Sequence, residues 1–127
     1  MMGIQETKDI GMRLVAFCRE DKDREALETL YADHATSVEA VEMSGGGPRE
    51  FKGLDQIRGK HDWWEKTMEV HEFSVHGPYY HGEDRFGVIF DVDASNRESG
   101  ERSAMRELGI YTVADGKIVL EEFYYEV

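Results

Sequence analysis

One cysteine, two prolines and a shortage of positive charge mark this 127-residue chain, and each scarcity excludes something. Cys18 has no partner for an internal disulfide, which fits a reducing compartment. Its apolar neighbourhood predicts a buried structural thiol rather than a reactive one. Fifteen Lys and Arg against 27 Asp and Glu leave a net charge of −12. Such a surface repels phosphate backbones and anionic lipid, and the basic residues are scattered singly, so neither nucleic acid nor a membrane surface is an expected partner. No apolar run approaches the ~20 residues that a bilayer crossing needs. MMGIQETKDI lacks the basic-then-apolar pattern of a signal peptide, so the expected location is cytoplasmic.

The motifs of bound nucleotides and metals are missing as well. There is no GxGxxG, no P-loop, no GxSxG, no HExxH and no paired CxxC. His71, His76 and His81 are spaced by five, an odd interval that puts neighbours on opposite faces of an extended strand. SGGGP at residues 44–48 reads as a loop, and nearby acidic residues oppose its use as a phosphate cradle. No cofactor and no metal is expected.

What is present suffices for one core. Apolar residues make up 40% of the chain, with six Phe, six Tyr and two Trp, so residues 1–127 read as a single domain. In TKDIGMRLVAFCRED, Ile10, Leu14, Phe17 and Cys18 recur at helical spacing. DREALETLYADHA predicts a second helix, with Asp23 as N-cap and Leu27, Leu30 and Tyr31 facing inward. TSVEAVEM alternates like a short strand. Leu54, Ile57, His61, Trp64 and Met68 form one face of a third helix. From Glu72 onward the period is two, and Phe86, Val88, Phe90 and Val92 make a clean apolar face. The order helix, helix, strand, helix and then four strands predicts an α+β fold with helices packed on one side of a mostly antiparallel sheet.

The last hairpin carries the chemistry. SAMRELGIYTVADGKIVLEEFYYEV holds two apolar runs around Asp115-Gly116, a pair that suits a two-residue type I′ turn. That turn sets Val113 opposite Ile118, Tyr111 opposite Leu120, Gly109 opposite Glu122 and Glu107 opposite Tyr124. The other face carries Arg106, Leu108, Ile110 and Thr112 against Tyr125, Phe123, Glu121 and Val119. Local hydrophobicity favours this second face as core.

The element order, the FKGLDQI segment before a Trp-bearing third helix, and the terminal DGKIVLEEFYYEV hairpin resemble the SnoaL-like family of the nuclear transport factor 2-like (NTF2-like), ketosteroid-isomerase-like superfamily. The resemblance implies a cone-shaped, cystatin-like α+β barrel, its curved sheet wrapped around three helices from the N-terminal half of the chain, with a pocket at the open end. It also implies that the isoleucine of the DGKI turn points inward, placing Ile118, Leu120, Glu122 and Tyr124 inside. A β-bulge partway along would exchange the faces beyond it. Leu108, Ile110, Phe123 and Tyr125 would then form an outer apolar patch that a second copy covers in a homodimer.

On this placement Glu107 and Glu122 are diagonal neighbours, roughly 7–8 Å apart at Cα. Burial and mutual repulsion would raise the pKa of one of them and make it a general acid or base. His61 is the third candidate catalytic residue. Phe17, Tyr31, Trp64, Met105, Tyr111 and Tyr124 are the candidate ligand-binding residues, with Tyr111 or His61 placed to stabilise an oxyanion. The competing reading satisfies the inward carboxylates with core donors and assigns them no chemistry. The expected function is binding of a small, partly apolar molecule, with cofactor-independent acid–base catalysis of the isomerase, cyclase or dehydratase type on a carbonyl compound. The alternative is a non-catalytic ligand-binding or dimerisation module.

Overall fold

The computed structural model describes residues 3–43 and 47–127. Three helices, α1 (Ile4–Arg19), α2 (Asp23–Leu30) and α3 (Leu54–Thr67), pack against one face of a curved six-stranded sheet. The strands are β1 (Tyr31–Val38), β2 (Glu50–Lys52), β3 (Met68–His81), β4 (Arg85–Asn96), β5 (Arg102–Ala114) and β6 (Lys117–Tyr124), in the order β2-β1-β6-β5-β4-β3. Only the β1–β6 pair is parallel. The α+β architecture is as expected, with one boundary moved and one strand added. The second helix stops at Leu30, where a helix through Ala35 was expected, and β1 begins at once. Pairing with β6 and burial of Tyr31, Ala32, Ala35 and Ser37 override the helical propensity of YADHA. The three-residue β2 had no sequence signal. Of the expected SGGGP loop, residues 44–46 lie outside the described residues.

The core follows the local periodicities closely. Ile10, Leu14 and Cys18 of α1, Leu27 and Leu30 of α2, and Leu54 and Ile57 of α3 are buried against Phe86, Val88, Phe90, Val92 and Ala94 of β4. These apolar residues define the concave face of the sheet. Asp23 starts α2 but does not cap it; Lys22 occupies the cap position and no side chain bonds the free backbone amides.

The β5–β6 hairpin decides which carboxylates reach the core. Asp115 and Gly116 have φ of 51° and 74°, as a type I′ turn requires. Val113 pairs with Ile118, but Thr112 then pairs with Leu120, leaving Val119 as an extra residue. Beyond this bulge Tyr111 faces Glu121, Ile110 faces Glu122, Gly109 faces Phe123 and Leu108 faces Tyr124. Every later side chain of β6 changes face. Ile118 is inside, as the resemblance implied. Leu120, Glu122 and Tyr124, expected inside with it, belong instead to the convex face; Glu121 and Phe123, expected outside, lie on the concave one.

Candidate functional site

The concave side of the hairpin gathers a cluster that no single segment announces. Glu121 is 2% exposed, and Tyr31 donates a hydrogen bond to its Oε1. Ser37 lies beside Glu121 in the β1–β6 register, and Glu39 follows two residues later on the same face. From α3, Lys60 reaches down and donates to the Ser37 hydroxyl and to Glu39 Oε2, the latter at 2.7 Å. Its ammonium is 3.9 Å from Glu121 Oε2, and it lies 4.8 Å from the Phe123 ring centre and 5.2 Å from that of Phe51. The Tyr125 hydroxyl donates to Glu39 Oε1 at 3.0 Å. Phe123 and Tyr125, expected on an outer dimer face, are thus parts of the inner cluster, and the Val119 bulge is the reason.

Glu107 stands at the border of this network. It pairs with Phe90 across β4–β5, on the concave face, and is partly exposed. Among the described residues no donor bonds its carboxylate. Burial pushes its pKa from 4.5 up to about 7, the Glu39 and Glu121 charges adding to the rise and Lys60 opposing it. A carboxyl titrating there holds both protonation states near neutral pH, as a general acid or base must. The expected partner of Glu107 was Glu122. The structure brings Glu39 and Glu121 to it instead.

The tyrosines are committed elsewhere. Tyr111 is 2% exposed and stacks on Phe86 with ring centres 5.0 Å apart, while Phe123 meets it edge-on at 6.3 Å. Burial and then the Glu121 charge hold both Tyr31 and Tyr111 well above the ordinary phenol pKa. The space at Gly109 is filled by rings: a Cβ there would lie 2.9 Å from Tyr111 Cε1 and 3.1 Å from Phe123 Cε1. Tyr125 differs. It is only partly buried, close enough to Glu107 to feel its charge, and raised to about 12, chiefly by burial and then by Glu39.

The remaining predicted residues are dispersed. His61 stands on the inward stripe of α3, but its Nδ1 is 3.2 Å from Asp23 Oδ2 of α2, at an angle poor for a hydrogen bond. The contact lowers the Asp23 pKa and ties the two helices together. Phe17, Trp64 and Met105 pack against the core margin. Tyr124, 54% exposed, is on the convex face with Glu122. Cys18 is buried, as expected, and desolvation followed by the Asp23 and Glu121 charges pushes its pKa to about 12. A shallow depression of about 740 Å³ crosses β3, β4 and β5 between Phe73, Asp91 and Met105. None of the carboxylates around Lys60 lines it.

A cone of three helices in a curved sheet, with ionisable groups on its concave face, is the architecture of the NTF2-like proteins. The SnoaL-like domain model matches residues 5–125, and the chain belongs to that family. A Mesorhizobium loti structure described as a candidate SnoaL-like polyketide cyclase, with carbohydrate phosphatase in brackets, is 36% identical. That match covers 93% of this chain and 97% of the other, at a TM-score of 0.85. A candidate isomerase from Bacillus subtilis, 17% identical, shares the fold at a TM-score of 0.74 over 96% of this chain and 87% of its own. A protein of ketosteroid isomerase-like fold from Catenulispora acidiphila, in complex with trimethylamine, is 21% identical with a TM-score of 0.64 over 80% and 74% of the two chains. No curated protein matches significantly.

Proposed function

We propose that the protein binds a small, partly apolar carbonyl compound at the concave face and catalyses proton transfer on it without a cofactor, with Glu107 as general base and acid. The observation that carries this reading is the Glu107 carboxyl, partly buried on the concave face, without a hydrogen-bond donor among the described residues, and raised to about 7. As carboxylate it takes a proton from the carbon next to the carbonyl; as acid it returns that proton to another carbon of the enolate, the net change of an isomerase, or to the alkoxide left when the enolate carbon has attacked a second carbonyl of the same molecule, the net change of an aldol-type cyclase. Desolvation with the Glu39 and Glu121 charges raises the Glu107 pKa, and Lys60 opposes them. The cyclase and isomerase descriptions of the relatives agree with this class of chemistry. The phosphatase description does not suit a cluster with three carboxylates and one lysine, which repels a phosphate monoester.

The test is solvent deuterium incorporation next to the carbonyl of a panel of cyclic ketones, followed by NMR. The wild type should accelerate exchange for at least one ketone, with a pH profile bending near 7, and Glu107→Gln should lose that acceleration. Exchange that survives Glu107→Gln would remove the residue from the mechanism.

A homodimer is the second reading, on a revised surface. Leu108, 37% exposed, and Tyr124, 54% exposed, join Ile110 and Leu120 in an apolar strip on the convex face. Its edge is formed by the exposed Arg106–Asp91 and Arg102–Asp93 pairs. A second copy packed face to face would cover it. Sedimentation at micromolar concentration should give twice the chain mass of 14.6 kDa, and Leu108→Glu should halve it.

A further inference from the structure

Among the described residues Lys60 is the one cation on the concave cluster, and protein groups already surround it. Its donors go to Ser37 and Glu39, Glu121 is 3.9 Å away, and the Phe51 and Phe123 rings cover two more sides. Its side chain is 10% exposed, and those of Glu39 and Glu121 are 13% and 3% exposed. An anion reaching for the ammonium would have to displace one of these carboxylates and leave it buried without its partner, a strongly unfavourable exchange. Arg49, bonded to the same corner, directs its Nε to the Glu39 backbone carbonyl. Among the described residues, Glu107 is then the only charged group of the cluster left free to meet a ligand.

Resting on the reading of the Glu107 face as a ligand site, we infer that this site accepts uncharged or cationic small molecules and rejects carboxylates and phosphates, with the caged Lys60 as the residue that fixes the preference. Ordinarily a lysine in a cleft advertises anion binding. Here the ammonium is neutralised in place, and its ring-and-carboxylate cage is the surrounding that suits an ammonium. Selectivity arises from the uncompensated negative charge that remains, which penalises the wrong ligand more than it favours the right one.

The experiment uses four probes sharing a phenyl ring: 4-phenylbutan-2-one, benzyltrimethylammonium, 3-phenylpropanoate and phenyl phosphate. Binding to the wild type is read at pH 8 by ligand NMR, with Glu107 followed by carbonyl-labelled glutamate. The ketone and the ammonium should bind and shift the Glu107 signal, with both anions about tenfold weaker or worse. Lys60→Met should tighten the ammonium and weaken the anions further. An anion that binds as well as the ketone overturns the inference while leaving Glu107 its proton-transfer role. If no probe moves the Glu107 signal, the ligand-site reading falls and the selectivity with it. Should Lys60→Met not fold, the wild-type ranking decides alone.

Discussion

Replacing Glu107 by Gln should raise stability at alkaline pH and leave it unchanged at acid pH. The folded state holds this carboxyl near 7, whereas the unfolded chain returns it to 4.5. A folded pKa above the unfolded one means that folding favours the protonated form. The favourable linkage is complete below pH 4.5, is lost progressively as the pH rises towards 7, and is absent above that. At 1.36 kcal/mol for each unit of pKa, the loss amounts to about 3 kcal/mol, and the partial exposure of the residue brings it nearer 2. Gln cannot ionise and is close to isosteric, so the variant escapes this penalty. Urea denaturation of both proteins at pH 4.5 and pH 8 isolates the effect, because groups not coupled to Glu107 titrate alike in the two. The wild type should lose about 2–3 kcal/mol more than the variant between these conditions, visible as a difference near 10 °C in the alkaline melting temperature. Parallel pH dependences in the two proteins would refute the reasoning: Glu107 would then ionise in the folded state as it does in water.

Two further outcomes follow from the packing. Gly109→Ala should destabilise by about 1–3 kcal/mol in chemical denaturation, because its Cβ meets the Tyr111 ring at 2.9 Å and that ring is clamped between Phe86 and Phe123. Cys18, buried and raised to about 12, should resist iodoacetamide at pH 8 in the native protein and react fully in urea. Native labelling at the denatured rate would show that the helical layer opens readily.

The helices and the β4 alternation were legible because the signal is local: the apolar stripe of α3 and the face Phe86, Val88, Phe90, Val92 need no knowledge of what they pack against. The face of β6 was not legible in the same way, since the turn fixes register only up to the first bulge. A clue was nevertheless present. Ile118 and Leu120 alternate on even positions, whereas Phe123 and Tyr125 alternate on odd ones, and a strand whose apolar phase jumps by one contains an extra residue. Lys60 was hidden beside a more conspicuous histidine. It falls three residues after Ile57 and four before Trp64, on the buried side of α3, and an inward lysine needs a carboxylate to meet it. Glu39 is that carboxylate, missed because β1 starts earlier than the alternation of TSVEAVEM suggests.

The three concave carboxylates are not equivalent, and stability measurements should divide them by sign. Glu39 and Glu121 belong to a satisfied network: Lys60 and Tyr125 bond the first, Tyr31 bonds the second with Lys60 close by. Removing a charge from such a network strands its donors, so Glu121→Gln should destabilise at pH 7, and Tyr31→Phe should cost about 1.5–3 kcal/mol by taking a donor from a buried carboxylate. Glu107 has no such donors, and its replacement by Gln should stabilise. A purely structural cluster has no use for the third carboxylate, because Glu39, Glu121 and Lys60 already close on one another without it. A group that lowers stability where it stands and titrates at neutral pH is what an active site retains against the demands of folding. If Glu107→Gln and Glu121→Gln shift the denaturation midpoint at pH 7 in the same direction, that distinction fails, and Glu107 is one more member of the structural network.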